Sequence, residues 1–586
     1  MLAACANPVA PTGGPRDTDP PVILRSEPEN GSVNFDAREI RIWFDEFIQL
    51  RGLSQKFLSS PPFIKVPETR IRGKSLVIRF DEELRPNTTY TLFFGDAIAD
   101  FTEGNAIPNF RYIFSTGPVL DSMELSGKLV NAFTQEPEKE VFVMLYDIYE
   151  DSIPLQERPY YISRTNEEGQ FYFTNLRNIP YKVFALRDVN ANLIYDMPNE
   201  EIAFIDSLVH PLAPVRKPVQ DTIPGDDIKG DERVLEKDEH KHGEFENDAE
   251  RNNFLNEQQQ ATEDSLKQVR KDQALMLHLF NEVDSTQRLE KFEYLHPNKL
   301  QFIFRFPVKN LKIEAIPAFD HPWKIPETSS KADTLWYWLT DVDRDTLKLE
   351  ISAEKLETDT LQRPLTRFQD HRKQKQTDTT VLRLDVRSNL PRTGQADLHK
   401  PIELTFSEPI AAIDIERIEL LEDSVRILPE IKFRDEVQRF LRIEYPWKDT
   451  THYDLLIPDS VFLSIYGHYN DTLQRSFRTR MRSDYGNIRL NLEHSFTSGQ
   501  FIVELLDDRG RKLQQKIIPL DSSQLAFLVL MPGKYQVRLI HDANSNGRWD
   551  TGVYFEGRQP EKVFVFDKAL ELRANWDIEE TFIIPE

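Results

Sequence analysis

The sequence predicts an all-β protein of tandem β-sandwich domains with a partly helical or disordered acidic linker. Short strands with alternating apolar and polar residues recur along the chain with turn residues between them, as in Ile40-Arg-Ile-Trp-Phe-Asp-Glu46. Long stretches also return at a fixed offset, which is typical of duplicated domains. Because 586 residues exceed what one hydrophobic core can organise, roughly four to five domains are expected.

Composition and charge exclude several classes of function. The formal net charge is -24 and no long Lys/Arg block interrupts it, so phosphate backbones would be repelled and nucleic-acid binding is not expected. The sequence has no apolar run of about 18 residues, so no membrane-spanning helix is predicted. The sole cysteine, Cys5, excludes disulfides within the chain and cysteine-based zinc or iron–sulfur sites.

Residues 1–17 are interpreted as a lipobox and tether. Leu2-Ala-Ala-Cys5 has the Leu-small-small-Cys form at which a bacterial signal peptidase cuts before a cysteine that becomes lipidated. Acyl chains on Cys5 would hold the protein on a membrane, and the polar Pro/Gly-rich stretch from Asn7 to Pro21 would act as the tether. The alternative is a chance cysteine in an Ala-rich start.

One repeated module occupies residues 18–117 and 382–482. The strand at Ile40 returns at Ile402, and Arg111 returns as Arg475, so the offset is 362 (402 minus 40) to 364 (475 minus 111) and indicates an internal duplication. The opening Pro-x-x-Gly segment, a central Tyr-containing strand and a closing Phe-x-Thr strand resemble the bacterial Ig-like domain of the S-layer type. That resemblance implies a β-sandwich that acts as a spacer or adhesion module and says little else about function.

A second repeated module occupies residues 122–206 and 486–586. The segment from Tyr181 to Asp196 aligns without a gap on the segment from Tyr535 to Asp550, at an offset of 354 (542 minus 188). These segments resemble the prealbumin-like or carboxypeptidase-regulatory-like β-sandwich of bacterial surface proteins, which often carries an Asp-x-Asn-x-Asn-Gly-x-x-Asp loop after this strand.

Two other regions separate the copies. Residues 207–274 are rich in charged residues, Gln and Pro and predict an acidic linker, disordered or partly helical between Glu244 and Gln273. Its His-x-His pair at His240 and His242 is interpreted as part of a solvated charge run. Residues 275–380 alternate like a further β-sandwich of no recognisable family.

The second Asp/Asn loop predicts a calcium site. Its oxygen side chains stand at positions 1, 3, 5 and 9, with a backbone carbonyl at position 7, as in known calcium loops; the five residues are Asp542, Asn544, Asn546, Asp550 and, through its carbonyl, Arg548. Gly547 permits the tight turn. Position 12 is Val553 and a strand precedes the loop, so a helical EF-hand is not expected, and Glu556 is the best candidate for a further acidic ligand.

The first loop keeps the same four side chains but not the glycine. Asp188, Asn190, Asn192 and Asp196 are present, Leu193 stands at the turn position, and Glu200 or Glu201 would complete the site. For both loops the alternative is an Asx-rich turn that caps itself through backbone hydrogen bonds without metal. A bound Ca²⁺ with so few carboxylates is expected to be structural rather than a signalling sensor.

No enzyme is predicted, because the sequence has no Gly-x-Ser-x-Gly elbow, phosphate loop, His-Glu-x-x-His motif or cysteine nucleophile. The expected function is that of a non-enzymatic outer-membrane lipoprotein, of a kind that resembles those of Bacteroidota, with cell-surface exposure as an option. It would be a scaffold or accessory subunit of an envelope complex for secretion, uptake or outer-membrane protein assembly, with envelope proteins as partners. The alternative is a surface glycan-binding or adhesion lipoprotein, in which Trp336, Tyr337 and Trp338 stack on sugars, although alternating aromatics are more often half in a core.

Overall fold

The computed structural model describes residues 17–214, 274–282, 286–295, 298–354, 356–365, 383–391 and 394–585. Cys5, the His-x-His pair and most of the predicted acidic linker lie outside these residues. Within them the chain is all-β, and its one α-helix is the single turn Leu53–Lys56. No helix in this described part is long and apolar enough to cross a membrane.

The chain divides into two compact units. The first contains residues 1–283, 499–502 and 539–565, and the second contains residues 284–498, 503–538 and 566–586. Short 3₁₀ turns occur at Ile153–Leu155, Ile415–Arg417, Arg482–Asp484 and Tyr554–Glu556.

The first Ig-like copy is a β-sandwich in the first unit. Its strands are β1 (Ile23–Glu27), β2 (Glu39–Phe44), β3 (Ile48–Leu50), β4 (Leu58–Ser60), β5 (Glu68–Ile71), β6 (Ser75–Arg79), β7 (Thr89–Gly95), β8 (Ile98–Asp100) and β9 (Phe110–Ser115). The sheets are β1-β2-β6-β5 and β4-β7-β9, with a separate ribbon β3-β8. Period-2 alternation places Ile40, Ile42 and Phe44 of β2 in the core, as the sequence predicted.

The first loop-bearing copy follows in the same unit. Its strands are β10 (Met123–Asn131), β11 (Phe142–Tyr146), β12 (Tyr161–Arg164), β13 (Gln170–Leu176), β14 (Lys182–Arg187), β15 (Glu201–Phe204) and β16 (Leu275–Asn281). They form one seven-stranded sheet in the order β12-β11-β14-β15-β16-β10-β13.

Strand β16 changes the domain organisation that the sequence suggested. The prediction placed Leu275 at the start of the next β module, but β16 pairs parallel to β10 and antiparallel to β15. Its Leu277 and Leu279 are buried in the core of the loop-bearing copy. The residues between β15 and β16 are therefore an insertion within this module rather than a linker between modules. Alternation alone shows which face of a strand is buried and not which sheet the strand joins.

The second unit contains the β module of no recognisable family, named here the middle module. Its strands are β17 (Leu289–Leu295), β18 (Lys299–Phe304), β19 (Lys312–Ala315), β20 (Lys324–Thr328), β21 (Thr334–Leu339), β22 (Thr346–Ala353) and β23 (Leu356–Pro364). They form the sheets β17-β18-β21-β20 and β19-β22-β23. Tyr337 and Trp338 are buried, so the interpretation of these aromatics as core residues is confirmed.

The second Ig-like copy repeats one four-stranded sheet and the two-stranded ribbon of the first, but its other sheet has five strands where the first copy has three. Its strands are β24 (Val386–Ser388), β25 (Gln395–Ala396), β26 (Ile402–Phe406), β27 (Ile410–Ile413), β28 (Glu419–Glu422), β29 (Val425–Ile427), β30 (Glu430–Phe433), β31 (Phe440–Glu444), β32 (His452–Ile457), β33 (Phe462–Ser464) and β34 (Leu473–Thr479). The sheet β24-β26-β31-β30 corresponds to β1-β2-β6-β5, and the ribbon β27-β33 corresponds to β3-β8.

The second loop-bearing copy closes the chain. Its strands are β35 (Gly486–Glu493), β36 (Gln500–Asp507), β37 (Lys512–Pro519), β38 (Gln524–Leu530), β39 (Gly533–Asp542), β40 (Val563–Val565), β41 (Leu570–Leu572) and β42 (Asp577–Ile583). Strand β42 pairs parallel to β35, as β16 pairs parallel to β10 in the first copy.

Equivalent hydrogen bonds support the duplication. The hydroxyl of Tyr90 accepts a hydrogen bond from the Arg85 N–H at 2.8 Å, and the hydroxyl of Tyr453 accepts one from the Lys448 N–H at 3.0 Å. Both pairs are five residues apart, and 448 minus 85 gives the same offset of 363 as 453 minus 90. A tyrosine whose hydroxyl bonds to the backbone upstream is the tyrosine corner of Ig-type sandwiches.

These corner tyrosines predict a loss of stability at alkaline pH. Burial raises the pKa of both Tyr90 and Tyr453 from 10.0 to about 12. Because the unfolded chain loses these protons near pH 10 and the folded chain holds them to about pH 12, the free energy of unfolding should be unaffected below pH 10 and should fall between pH 10 and 12. Denaturant titrations at each pH, followed alongside tyrosinate absorbance, measure this. Complete tyrosine ionisation near pH 10 with the fold intact would contradict it.

Candidate functional site

The second Asp/Asn loop begins where β39 ends, at the fully buried Asp542. One carboxylate oxygen of Asp542 accepts a hydrogen bond from the Asn546 N–H at 3.0 Å, and the other accepts one from the Gly547 N–H at 2.7 Å. The side-chain amide of Gln500 donates to the same carboxylate at 2.8 Å. Asp542 therefore fixes the curl of the loop.

The other polar side chains of the loop converge on Asp550. The side-chain amides of Asn544 and Asn546 each donate to Oδ2 of Asp550 at 2.6 Å, and the Arg548 guanidinium lies 3.3 Å from its Oδ1. The amide oxygens of Asn544 and Asn546 accept the backbone N–H groups of Asn546 and Arg548. The structure thus brings together the side chains of the four Asp and Asn residues that the sequence singled out.

Glu561 is the acidic residue that completes this loop, not Glu556. Its carboxylate accepts the Ala543 N–H at 2.9 Å and the Asp550 N–H at 3.0 Å, which ties the two ends of the loop together. Burial raises the pKa of Glu561, backbone N–H groups oppose that rise, and the negative charges of Asp550 and Asp542 add to it. Glu556 is exposed and lies 3.6 Å from Arg558, so the acid found against the loop is Glu561 and not the one that the sequence favoured.

The first loop repeats this network. The Asn190 and Asn192 amides donate to the two carboxylate oxygens of Asp196 at 2.9 and 2.8 Å. Asp188 accepts the backbone N–H groups at the turn, including that of Leu193 at 2.7 Å.

Of the two acids proposed to complete the first loop, the structure places Glu200 there. Buried Glu200 accepts the Val189 N–H at 3.2 Å and the Asp196 N–H at 3.1 Å, which are the positions that Glu561 caps in the second loop. Glu201 instead forms an ion pair with Arg187 at 2.6 Å. The sequence comparison missed the equivalence of Glu200 and Glu561 because they follow the last aspartate at different spacings.

Leu193 adopts the backbone conformation of the glycine that it replaces. Its φ is 61° and that of Gly547 is 79°, both in the left-handed region. This conformation costs a residue with a side chain about 1–2 kcal/mol. Leu193 also packs against an apolar cluster that includes Tyr195 and Tyr554, and the burial of its side chain there acts against that cost. The absence of a glycine therefore leaves the shape of the first loop unchanged.

Tyr554 connects the surroundings of the two loops within the first unit. Its ring packs edge-on against Phe184, Tyr195 and Phe204, at centroid distances of 5.9, 6.1 and 5.3 Å. Its hydroxyl donates to the Asp151 carbonyl. Gly552 lies so close to Phe280 that a Cβ would come within 2.5 Å of the ring. Tyr195 directly precedes Asp196, so this contact lies beside the first loop.

The loops rely on amide and carbonyl oxygens as well as carboxylates. Across the part of the chain that the structure describes, no group of three or more His, Cys, Asp and Glu side chains is placed to hold a metal ion. Each loop brings two aspartates to two asparagines, and its glutamate caps backbone N–H groups. Any cation here would therefore depend on the asparagine amides and a backbone carbonyl.

The second unit contains an open groove of about 350 Å³ at the second Ig-like copy. Its apolar lining is Leu390, Pro391, Ile402, Trp447, Phe477 and Met531. Gln395, Lys400 and Arg480 provide polar groups at the same groove. Sequence reasoning missed it because its residues come from distant parts of the chain.

Comparisons with known proteins agree with this fold. Residues 17–116 match a bacterial Ig-like domain. The chain therefore contains Ig-like domains in tandem, since the second copy repeats the four-stranded sheet and the two-stranded ribbon of the first. No curated protein matches the chain.

Three solved structures illustrate what the chain is similar to. The S-layer protein SbsC is similar over 94% of this chain and 67% of its own, with 9% identity and a TM-score of 0.13. BcpA, the major pilin subunit of Bacillus cereus, is similar over 78% and 99%, with 7% identity and a TM-score of 0.15. The Bacteroides ovatus protein SGBP-B, solved with a mixed-linkage heptasaccharide, is similar over 70% and 88%, with 8% identity and a TM-score of 0.16. Similarities at such low TM-scores support no statement about function.

Proposed function

We propose that this chain is a non-enzymatic, lipid-anchored outer-membrane protein that acts as a scaffold or accessory subunit of an envelope complex. The observation that carries the proposal is that neighbouring modules pack through direct side-chain contacts. In the first unit, the Ile162 N–H donates to the Ser60 hydroxyl at 3.1 Å and the hydroxyls of Thr88 and Tyr160 lie 2.9 Å apart. Such contacts stiffen a module pair, as a spacer or platform requires.

The second unit supports the same proposal. Arg439 of the second Ig-like copy donates to both carboxylate oxygens of Glu327 in the middle module, at 2.7 and 2.9 Å. The Tyr466 hydroxyl donates to the Leu339 carbonyl at 3.0 Å. A partly buried ion pair and hydrogen bonds between adjacent modules favour a rigid body over independent domains.

Extraction from native membranes tests the scaffold role. Full-length protein solubilised in a gentle detergent should co-purify with other envelope proteins in stoichiometric amounts. The Cys5→Ser variant should leave the membrane fraction if acyl chains form the anchor. Recovery of the membrane-bound protein alone would rule out the complex-subunit role, and membrane retention of Cys5→Ser would rule out the lipid anchor.

We propose further that both Asp/Asn loops bind Ca²⁺ as a structural ion. The residue types fit, because each loop brings together two aspartates and two asparagines, position 7 offers a backbone carbonyl, and Ca²⁺ takes six to eight oxygens in such loops. The negative charges of Asp550 and Asp542 raise the pKa of Glu561, and a bound cation would offset that unfavourable interaction. Rotation of the amides of Asn544 and Asn546 would present oxygen in place of N–H. The metal-free alternative is the self-capped turn.

Chelation should therefore lower the melting temperature. A ligand that binds only the folded state stabilises it by about 2.7 kcal/mol at a hundredfold excess over its Kd, so EDTA should remove a stabilisation of that order and added Ca²⁺ should restore it. The Asp550→Asn variant should lose much of the calcium-dependent shift, while Glu556→Gln, which changes an exposed carboxylate outside the loop, should keep it. An EDTA-insensitive melting temperature would favour the metal-free turn.

A glycan-binding role is the second candidate, and the groove at Trp447 is the observation that favours it. An aromatic ring beside several polar side chains is the usual composition of a sugar subsite. The aromatic residues that the sequence suggested for sugar stacking, Trp336, Tyr337 and Trp338, are less suitable, since Tyr337 and Trp338 are buried. Binding on a polysaccharide array should be lost in Trp447→Ala and kept in Trp576→Ala, a half-exposed tryptophan that does not line this groove. Absence of binding by the unmodified protein would reject this role.

A further inference from the structure

The first Ig-like copy carries two exposed phenylalanines side by side. The Phe101 N–H donates to the Phe47 carbonyl at 2.9 Å, which extends the β3-β8 ribbon by one pair. The two side chains are 58% and 69% exposed at positions 47 and 101. These two residues are named here the aromatic tip. Adjacent exposed aromatic rings form an apolar patch on the domain surface. Such a patch is unfavourable in water and is typical of a site that contacts a protein or a membrane.

In the second Ig-like copy, the position equivalent to the aromatic tip lies at a contact between modules. There the Ile465 N–H donates to the Pro409 carbonyl at 3.0 Å, so Ile465 and Pro409 correspond to Phe101 and Phe47. Pro409 is buried and Ile465 is half-buried. The next residue, Tyr466, donates to carbonyls of the middle module, which precedes this copy. In the second copy, the equivalent position therefore lies beside the contact with the module that precedes this copy along the chain.

What precedes the first copy is the N-terminal segment. The side-chain amide of Asn105 donates to the carbonyls of Asp17 and Asp19 at 3.1 and 3.2 Å, so the described chain starts beside the loop that follows Phe101. Cys5 lies twelve residues upstream of Asp17 (17 minus 5). Even fully extended, those residues span at most about 40 Å. A lipid anchor on Cys5 would hold the aromatic tip near the membrane surface.

We propose that the aromatic tip inserts into the membrane interface and orients the first Ig-like copy on the lipid surface. This inference rests on the proposed lipid anchor. Aromatic rings are favoured at the boundary between headgroups and acyl chains. The ammonium of Lys74 donates to the Asp45 carbonyl at 2.6 Å and lies 5.6 Å from the Phe47 ring, which puts one positive charge beside the tip for a headgroup phosphate. Asp45 and Glu46 directly precede Phe47 in the chain, so a surface without net charge suits the tip better than a strongly anionic one.

A fluorescent label tests this on the full-length acylated protein. Because Cys5 is the sole cysteine and acylation consumes its thiol, a cysteine introduced by Phe101→Cys takes up an environment-sensitive dye at that one position. The matched control is Val119→Cys, which is 68% exposed and follows the opposite end of β9. On phosphatidylcholine vesicles the label at 101 should shift its emission to the blue and be quenched by brominated lipid. The label at 119 should do neither.

The lipid anchor and the membrane-inserted tip would be rejected by different results. Mass spectrometry that finds Cys5 without acyl chains overturns the lipid anchor and the membrane-inserted tip with it. An acylated protein that floats with the vesicles but keeps water-like emission at 101 overturns the tip alone. A blue shift that requires added envelope proteins and does not occur on pure lipid identifies a protein surface as the occupant and also overturns the proposal. Phe47→Cys provides a second label position should Phe101→Cys perturb the ribbon.

Discussion

Replacing Glu327 with alanine is expected to destabilise the contact between the middle module and the second Ig-like copy by about 3–5 kcal/mol. Glu327 is buried and accepts hydrogen bonds from both the Arg439 guanidinium and, at 2.7 Å, the Trp338 indole. The Lys299 ammonium lies 3.9 Å from the same carboxylate and 4.1 Å from the Trp338 ring. Without Glu327, two largely buried cations would face each other with no counter-charge.

The pKa of Lys299 already reflects an environment that disfavours its positive charge. Burial lowers its pKa from 10.5 to about 8, the Glu327 carboxylate acts to raise it, and the like charge of Arg439 lowers it further. Loss of the carboxylate leaves only burial and the like charge of Arg439, and both oppose the charged form of Lys299. The destabilisation of Glu327→Ala is therefore the cost of an orphaned pair of cations and not the net worth of the ion pair.

Hydrogen exchange measures the effect locally, which suits a chain of several modules whose melting is not two-state. Protection in β18, β20, β21 and β31 should fall by about a hundredfold or more, since each 1.4 kcal/mol corresponds to a factor of ten. Glu430→Gln, at an exposed ion pair with Lys432, should change protection little. A double variant with Glu327→Leu and Arg439→Met should recover part of the loss, because only Lys299 then remains without a counter-charge. Equal losses in the single and double variants would contradict this account.

The parts of this structure that the sequence predicted are those encoded by local patterns. Alternating residues such as Ile40, Ile42 and Phe44 identify a half-buried strand because side chains on a strand point to opposite faces. The side chains of both Asp/Asn loops lie together in the structure, because residues at alternate positions of a tight loop face one centre, and their binding of calcium stays a prediction. Even the substitution of Leu193 for glycine did not alter the loop.

The parts that it did not predict depend on pairing between distant segments. Strand β16 joins the first loop-bearing copy across a long insertion, and the alternation of Leu277 and Leu279 fits any sheet equally well. Glu200 and Glu561 follow their loops at different distances, so a gapless alignment could not match them. Contacts such as Glu327 with Arg439 join residues that are 112 positions apart, and a single sequence carries no signal for such a pair.

Replacing Tyr554 with alanine is expected to cost about 3–5 kcal/mol, the usual range for truncating a buried aromatic side chain. Its ring fills the space between Phe184, Tyr195 and Phe204, so its loss would leave a cavity beside the first Asp/Asn loop. The control Phe555→Ala removes a neighbouring ring that is 70% exposed and should change stability by no more than about 0.5 kcal/mol. Tyr554→Phe, which keeps the ring and removes the hydroxyl bond to Asp151, should cost about 0.5–1.5 kcal/mol.

The position of the Tyr554 ring also predicts that the stabilities of the two Asp/Asn loops are coupled. Tyr195 directly precedes Asp196, and Tyr554 follows Asp550 by four residues. The contact between these two rings therefore lies close to the last aspartate of each loop. Hydrogen exchange in Tyr554→Ala should therefore increase at 188–196 as well as at 542–550. If exchange increased at 542–550 alone, Tyr554 would be a local core residue of its own hairpin. Increased exchange at both loops would mean that their stabilities are coupled through this ring, and any cation bound at one loop would then stabilise the other.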